Sequence, residues 1–160
     1  MKPWLRLSEA LRYPEDDLSR QEEYVRTFDF DRRATLHLTY HTFGDRRQRG
    51  LELVKLKRRY TEAGCELTAA ELPDYLPVLL EFAALEPEAG EALLNEHRPA
   101  LELIRARLHE RGSGYAPLLD ELVEALPRAT RAQLDRARRA AEEGPPADLV
   151  GLEPFGAEVA

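Results

Sequence analysis

One cysteine, Cys65, one methionine, one tryptophan and only seven β-branched aliphatics (six valines and one isoleucine) stand in these 160 residues. A single cysteine excludes an internal disulfide and a cysteine metal cage, and it fits a reducing compartment. The shortage of valine and isoleucine removes the residues that favour strands. No apolar run approaches the ~20 residues of a membrane span. The opening MKPWLRLSEALRYPEDD lacks the apolar stretch and small-residue cleavage site of a signal peptide. A cytoplasmic protein without stable membrane insertion is expected. Basic charge is also short: 23 Lys and Arg face 30 Asp and Glu, a net charge of −7. A nucleic-acid binder needs a basic footprint to neutralise phosphates, so nucleic acid is excluded as a partner.

What is abundant is leucine, 27 residues, with Ala, Glu and Arg behind it. These are strong helix formers, and the length suits one domain with a proper core, so the expected fold is all-α, a single helical bundle. Arginine outnumbers lysine 20 to 3, which reads first as genomic base composition and second as selection for bidentate contacts.

Capping and periodicity place the helices. The first is expected over about Trp4–Leu11, ending before Tyr13-Pro14 because the residue before proline disfavours the α region. A second is expected over about Asp17–Thr27. Asp29 or Asp31 can cap a third running to about Phe43, with Leu36, Tyr40 and Phe43 on one face and Gly44 as its end. A fourth, about Asp45–Ala63, carries Leu53, Leu56 and Tyr60 among basic positions and stops at Gly64. Thr68-x-x-Glu71 reads as a capping box opening a short turn. Asp74 is expected to cap an almost wholly apolar central helix in which only Glu81 is charged between Tyr75 and Leu85. Pro87 opens the next helix, a division falls near His97, Ser113-Gly114 interrupts again before Tyr115–Leu126, and Thr130-x-x-Gln133 caps a last helix ending at Gly144. The helical domain is expected to span residues 1–143, and 144–160, rich in Pro and Gly and aperiodic, to be a flexible tail.

The chemistry-bearing candidates are few. His37 and His41 would share a helix face, with Asp45 extending the row. That spacing suits a metal, but two histidines are too few for a tight site, and the alternative is one core and one surface imidazole. Arg46, Arg47, Arg49, Lys55, Lys57, Arg58 and Arg59 form a basic face, either solvated or offered to an acidic surface or phosphate. Cys65 has no nearby base or helix N-terminus and reads as a small buried hydrophobe. Glu81 is either a narrow solvent strip or a charge aimed into a groove. Tyr24, Phe28, Tyr40, Phe43, Tyr75 and Phe82 are core or the walls of a cleft for an amphipathic helix. No nucleophile–base pair or phosphate loop stands among them. Binding rather than catalysis is expected, with no catalytic residue, no metal and no cofactor.

Three segments, YVRTFDFDRRATLHLTYHTFGDRRQRG from Tyr24, LPDYLPVLLEFAA from Leu72 and, more weakly, GSGYAPLLDELVEALP from Gly112, resemble the nitrate reductase delta-subunit family. These are the NarJ-type maturation chaperones related to the TorD and DmsD groups. The resemblance rests on the Thr-Tyr-His-Thr-Phe-Gly-Asp-Arg-Arg run followed by Leu-Pro-Asp-Tyr-Leu-Pro, and covers about two thirds of the chain. It implies a TorD-like helical bundle and a non-enzymatic role. Such a protein holds the N-terminal segment of the apo catalytic (alpha) subunit of respiratory nitrate reductase until its molybdenum cofactor is inserted and the complex assembles at the membrane. It implies a monomer or a domain-swapped dimer, and leaves open a same-fold chaperone for another molybdoenzyme. Only the nine residues Glu15–Glu23 separate Pro14 from Tyr24, fewer than family members usually carry. Tyr40, His41, Phe43, Asp45, Arg46, Arg47, Leu76, Leu80, Glu81 and Phe82 are expected to contribute to or border the client groove, and the acidic excess to favour a basic leader.

Overall fold

Prolines and side-chain caps open most of the helices. In the computed structural model, which describes residues 3–44, 46–68 and 70–144, these are α1 (Pro3–Leu11), α2 (Leu18–Tyr24), α3 (Tyr40–Phe43), α4 (Arg47–Glu62), α5 (Leu76–Leu85), α6 (Pro87–Glu96), α7 (Arg98–Glu110), α8 (Ala116–Ala125) and α9 (Arg131–Glu143). Proline stands in the first two positions of α5, α6, α7 and α8, where an amide has no intrahelical partner to lose. Asp17 caps α2 by accepting from the Arg20 amide at 3.2 Å. The expected capping box opens α9: the Gln133 amide donates to Thr130 Oγ1 at 3.2 Å and the Thr130 amide to Gln133 Oε1 at 2.9 Å. The fold is all-α, and no helix among the described residues is long and apolar enough to cross a membrane. The expected tail lies outside the described residues beyond Gly144.

The centre is α5, whose Leu76, Leu79 and Leu80 are fully buried. On one side α1 delivers Trp4, Leu7 and Leu11, and Ser8 Oγ donates to the Pro77 carbonyl at 2.9 Å. On another, α6 approaches so closely that a methyl at Gly90 would fall on the Ala83 Cα and 2.6 Å from its Cβ. Arg98, itself buried, donates to Glu102 and to the Pro127 carbonyl, both at 2.8 Å, and so ties α7 to the loop before α9.

Two expectations are corrected. The expected third helix does not form over 31–39. Ala34, Leu36 and Leu38 are buried while Thr35 and His37 are half-exposed, a two-residue alternation that belongs to an extended segment. Leu36 accepts from the Leu76 amide at 2.9 Å, Leu38 donates to the Asp74 carbonyl at 3.0 Å, and His37 bridges Tyr75 antiparallel. The period-3.6 face of Leu36, Tyr40 and Phe43 therefore goes unused, and only the four residues of α3 are helical before Gly44 turns the chain at φ +56°. The second correction concerns α5, whose N-cap is Tyr75; the Asp74 side chain points inward instead. Beyond α2 the chain continues in a wider π turn, Val25–Asp29, which closes with the Phe30 amide on the Val25 carbonyl at 3.0 Å. This segment packs Phe28 against Tyr24 and Tyr115, each with ring centroids 4.9 Å apart.

The Gly90 contact is directly testable. Gly90→Ala overpacks the α5–α6 interface and should destabilise the protein by about 1–3 kcal/mol. Thermal unfolding followed by circular dichroism should show a fall of roughly 2–10 °C; an unchanged midpoint would mean that α6 stands off α5.

Candidate functional site

The turn at Gly44 is built on Asp74. Its side chain has no exposed surface, and it accepts from the Thr39 hydroxyl at 2.5 Å and from the Thr39 amide and Arg49 Nη2, each at 3.2 Å. His37 Nδ1 lies 3.2 Å from its other oxygen; a carboxylate only accepts, so this nitrogen carries the proton. Burial alone raises the Asp74 pKa, but the hydrogen bonds from His37 and Thr39 and the Arg49 charge outweigh it and hold the carboxyl down at about 2. From α4, Arg49 Nε also donates to Thr39 Oγ1 at 3.1 Å, and the Tyr60 hydroxyl donates to the Pro73 carbonyl at 2.7 Å. One carboxylate thus joins the segment 36–39, α4 and the start of α5.

The turn so fixed presents α3 to an open groove. His41, Thr42 and Phe43 form one wall, and the α6–α7 junction forms the floor with His97, Pro99, Ala100 and Leu103. The far wall is α9, through Arg136, Arg139, Ala140 and Glu143, and the volume is about 440 Å³. The groove continues past His41, Leu103 and Ala140 to Arg33, Ala106 and Ala141. It exists because α9 turns alanines towards α7: Ala137 packs, while Ala140 and Ala141 are too small to fill the space above Leu103. Burial pushes the imidazoles of both His41 and His97 down, so the walls carry neutral rings. His41 Nε2 donates to the Thr35 carbonyl at 2.8 Å. The charged residues that line it, Arg136, Arg139, Glu96 and Glu143, are all exposed and so stand at its rim.

Residues 2–121 match the family described as the nitrate reductase delta subunit, three-quarters of the chain. The chain belongs to the nitrate reductase delta-subunit family. Among its relatives, a probable nitrate reductase molybdenum cofactor assembly chaperone, NarJ, of Bacillus subtilis strain 168 is 42% identical over 106 residues, 66% of this chain and 58% of that protein. The nitrate reductase molybdenum cofactor assembly chaperone NarJ of Escherichia coli K12 is 40% identical over 111 residues, 68% of this chain and 47% of that protein. A nitrate reductase-like protein, NarX, of Mycobacterium tuberculosis H37Rv is 43% identical over 102 residues, only 16% of its own length. The matched segment thus spans about half of the two NarJ proteins. The family segment supplies α3, the floor of the groove and the Asp74 cluster; α9 lies beyond residue 121.

The residues expected at the site are dispersed by the fold. His41 and Phe43 line the groove, while Tyr40, Thr35 and His37 face a separate cleft of about 240 Å³ beside Arg32 and Arg49. Arg46 and Arg47 are exposed at the start of α4, and Asp45 lies outside the described residues. Leu76 and Leu80 have no exposed surface and support the turn from beneath. Phe82 packs on Tyr60 at 4.7 Å, and Glu81 is bound by Arg12 at 2.6 Å; both edge a small cleft with Cys65 and Leu85. The basic face of α4 is partly answered internally, by Glu96 on Arg59, Asp74 on Arg49, Glu62 on Arg58 and Glu52 on Lys55. His37 and His41 do not share a helix face, because His37 lies in the extended segment. Among the described residues no group of three or more His, Cys, Asp or Glu is arranged to hold a metal. Sequence reading missed the floor and far wall, Leu103, Pro99 and the α9 residues. The one signal for them was the run of alanines in the last helix, small residues at helical spacing that leave room.

Asp74 has a sharp pH signature. Its folded pKa of about 2 lies below its ordinary value of 3.8, so its contribution is complete above about pH 4 and is lost as pH falls towards 2. Over that window the contribution amounts to roughly 2 kcal/mol. Urea unfolding should therefore show a steeper loss between pH 4 and 2 in the wild type than in Asp74→Asn. Asp74→Ala, which strands the Thr39 and Arg49 donors, should cost roughly 3–5 kcal/mol at pH 7.

Proposed function

We propose that this protein is a cytoplasmic assembly chaperone. It binds the N-terminal segment of the apo catalytic subunit of respiratory nitrate reductase and holds it for molybdenum cofactor insertion and membrane assembly, without catalysing a reaction itself. The observation that carries this reading is the groove beside the Gly44 turn, with apolar walls from Phe43, Leu103 and Ala140 and charges only at its rim. Its shape suits one face of a short amphipathic helix, with apolar anchors inside and polar residues along the lip. The assembly role named for the Bacillus and E. coli relatives supports the choice of client.

The energetics fit a client that must later be released. Four or five anchors contribute roughly 1.5–3 kcal/mol each. Association and ordering cost about 4–15 kcal/mol. The remainder corresponds to dissociation constants of roughly micromolar to nanomolar. The net charge of −7 steers a basic leader from a distance, so binding weakens as salt rises, while the mixed rim sets register.

Calorimetric titration with a synthetic leader peptide of the catalytic subunit tests this. Phe43→Ala removes one half-buried anchor and should weaken binding about tenfold, since such a side chain is worth roughly 1.5 kcal/mol or more, while the melting temperature stays close to that of the wild type. Phe82→Ala, a core truncation, should lose about 3–5 kcal/mol of stability and affect binding only through the fold. Absence of heat at high micromolar peptide, or lost affinity in Phe82→Ala at an unchanged melting temperature, would overturn the placement.

A further inference from the structure

We propose that the chain carries its own competitor for this groove: the segment around Leu149–Phe155 docks between α3 and α9 when no client is present. This rests on the reading of the groove as the client site and adds its regulation.

Position comes first. Gly144, the last described residue, itself lines the groove, and its φ of +74° lies in the left-handed region that takes a chain off a helix end. Its Cα side faces the Arg33 guanidinium, 3.6 Å from where a Cβ would stand. Residues 145–160 therefore begin at the rim. Leu152 lies eight positions on from Gly144, a reach of up to about 26–29 Å, which is ample for a groove bounded by one four-residue helix and three turns of α9.

Composition comes second. Between 145 and 160 stand Leu149, Val150, Leu152 and Phe155 as anchors, with carboxylates at Asp148, Glu153 and Glu158 and no lysine or arginine. The α9 rim carries Arg136 and Arg139, both exposed, and Arg33 stands beside Gly144. Of the acids nearby, Glu96 is held by Arg59 at 2.7 Å and Glu110 by Arg107 at 3.1 Å, and Glu143 stands exposed next to Gly144. The segment's apolar residues meet neutral walls, and its carboxylates meet Arg33, Arg136 and Arg139 on the mixed rim. A tethered occupant acts at an effective concentration in the millimolar range. Even a weak intrinsic affinity of a few hundred micromolar then raises a client's apparent dissociation constant by about three- to tenfold.

The test uses the full chain, comparing wild type with Leu152→Asp/Phe155→Asp. Without client, hydrogen exchange at the amides of α3 and of Arg136–Glu143 should be about three- to tenfold faster in the variant, and titration with the leader peptide should show affinity tighter by the same factor. Equal exchange in the two proteins overturns the inference, even where both bind client. Faster exchange in a variant that binds no leader peptide supports it while refuting the client reading. Protection that disappears on dilution, with a dimer mass by light scattering, assigns the groove to a second copy and also overturns it.

Discussion

A buried carboxylate organises this protein. Taking Asp74 out of water is costly, and the cost is offset by donors to both of its oxygens, from His37, Thr39 and Arg49. The 36–39 stretch has no sheet to join and borrows backbone bonds from the start of α5. The helix α3, at four residues, is far too short to sustain itself. Thr39, held by both its amide and its hydroxyl, places the first residue of α3 and with it the ring of Phe43 three residues on. Arg49 carries the same constraint to α4. Remove the carboxylate, and the wall presented to the groove loses its reason for standing where it does.

From that wall comes the kind of work the site can do. Its imidazoles are held neutral by burial, and its carboxylates and guanidiniums stand at the lip. Such a cleft recognises shape and apolar area in its depth and charge at its edge. The match to the delta-subunit family ends before α9, so one side of the groove is built by residues beyond position 121.

Much of the architecture was legible because local chemistry decided it. Pro87 and Pro99, the Thr130–Gln133 box and the glycines at 44, 64 and 144 mark helix boundaries that hold in three dimensions. The stretch from Asp31 to Thr39 misled for a physical reason: its residues permit a helix, and only a partner 38 positions away, Tyr75 against His37, selects the extended form. The same long-range pairing turned Asp74 from a cap into a core residue. At the site, the Gly44 turn stood out in the sequence by its cluster of rings and charges, and the fold places His41 and Phe43 beside the groove. Leu76, Leu80 and Phe82 were not separable from it, because an apolar residue looks alike whether it lines a cleft or fills a core. The α9 wall was marked only by its alanines, because its contribution is absence of bulk and small residues at helical spacing are common on surface helices.

The two sides of the groove differ in how firmly they are seated. The α6 side is welded to α5 where Gly90 meets Ala83 backbone against backbone, and α5 has eight buried residues behind it. Helix α9 has two, Gln133 and Ala137, and is held at its start by the Gln133 bond to the Asn95 carbonyl, 2.9 Å long. The cleft therefore has one wall seated in the core and one seated by few buried side chains, so a substitution at the Thr130–Gln133 start of α9 should alter its width more readily than one in α6.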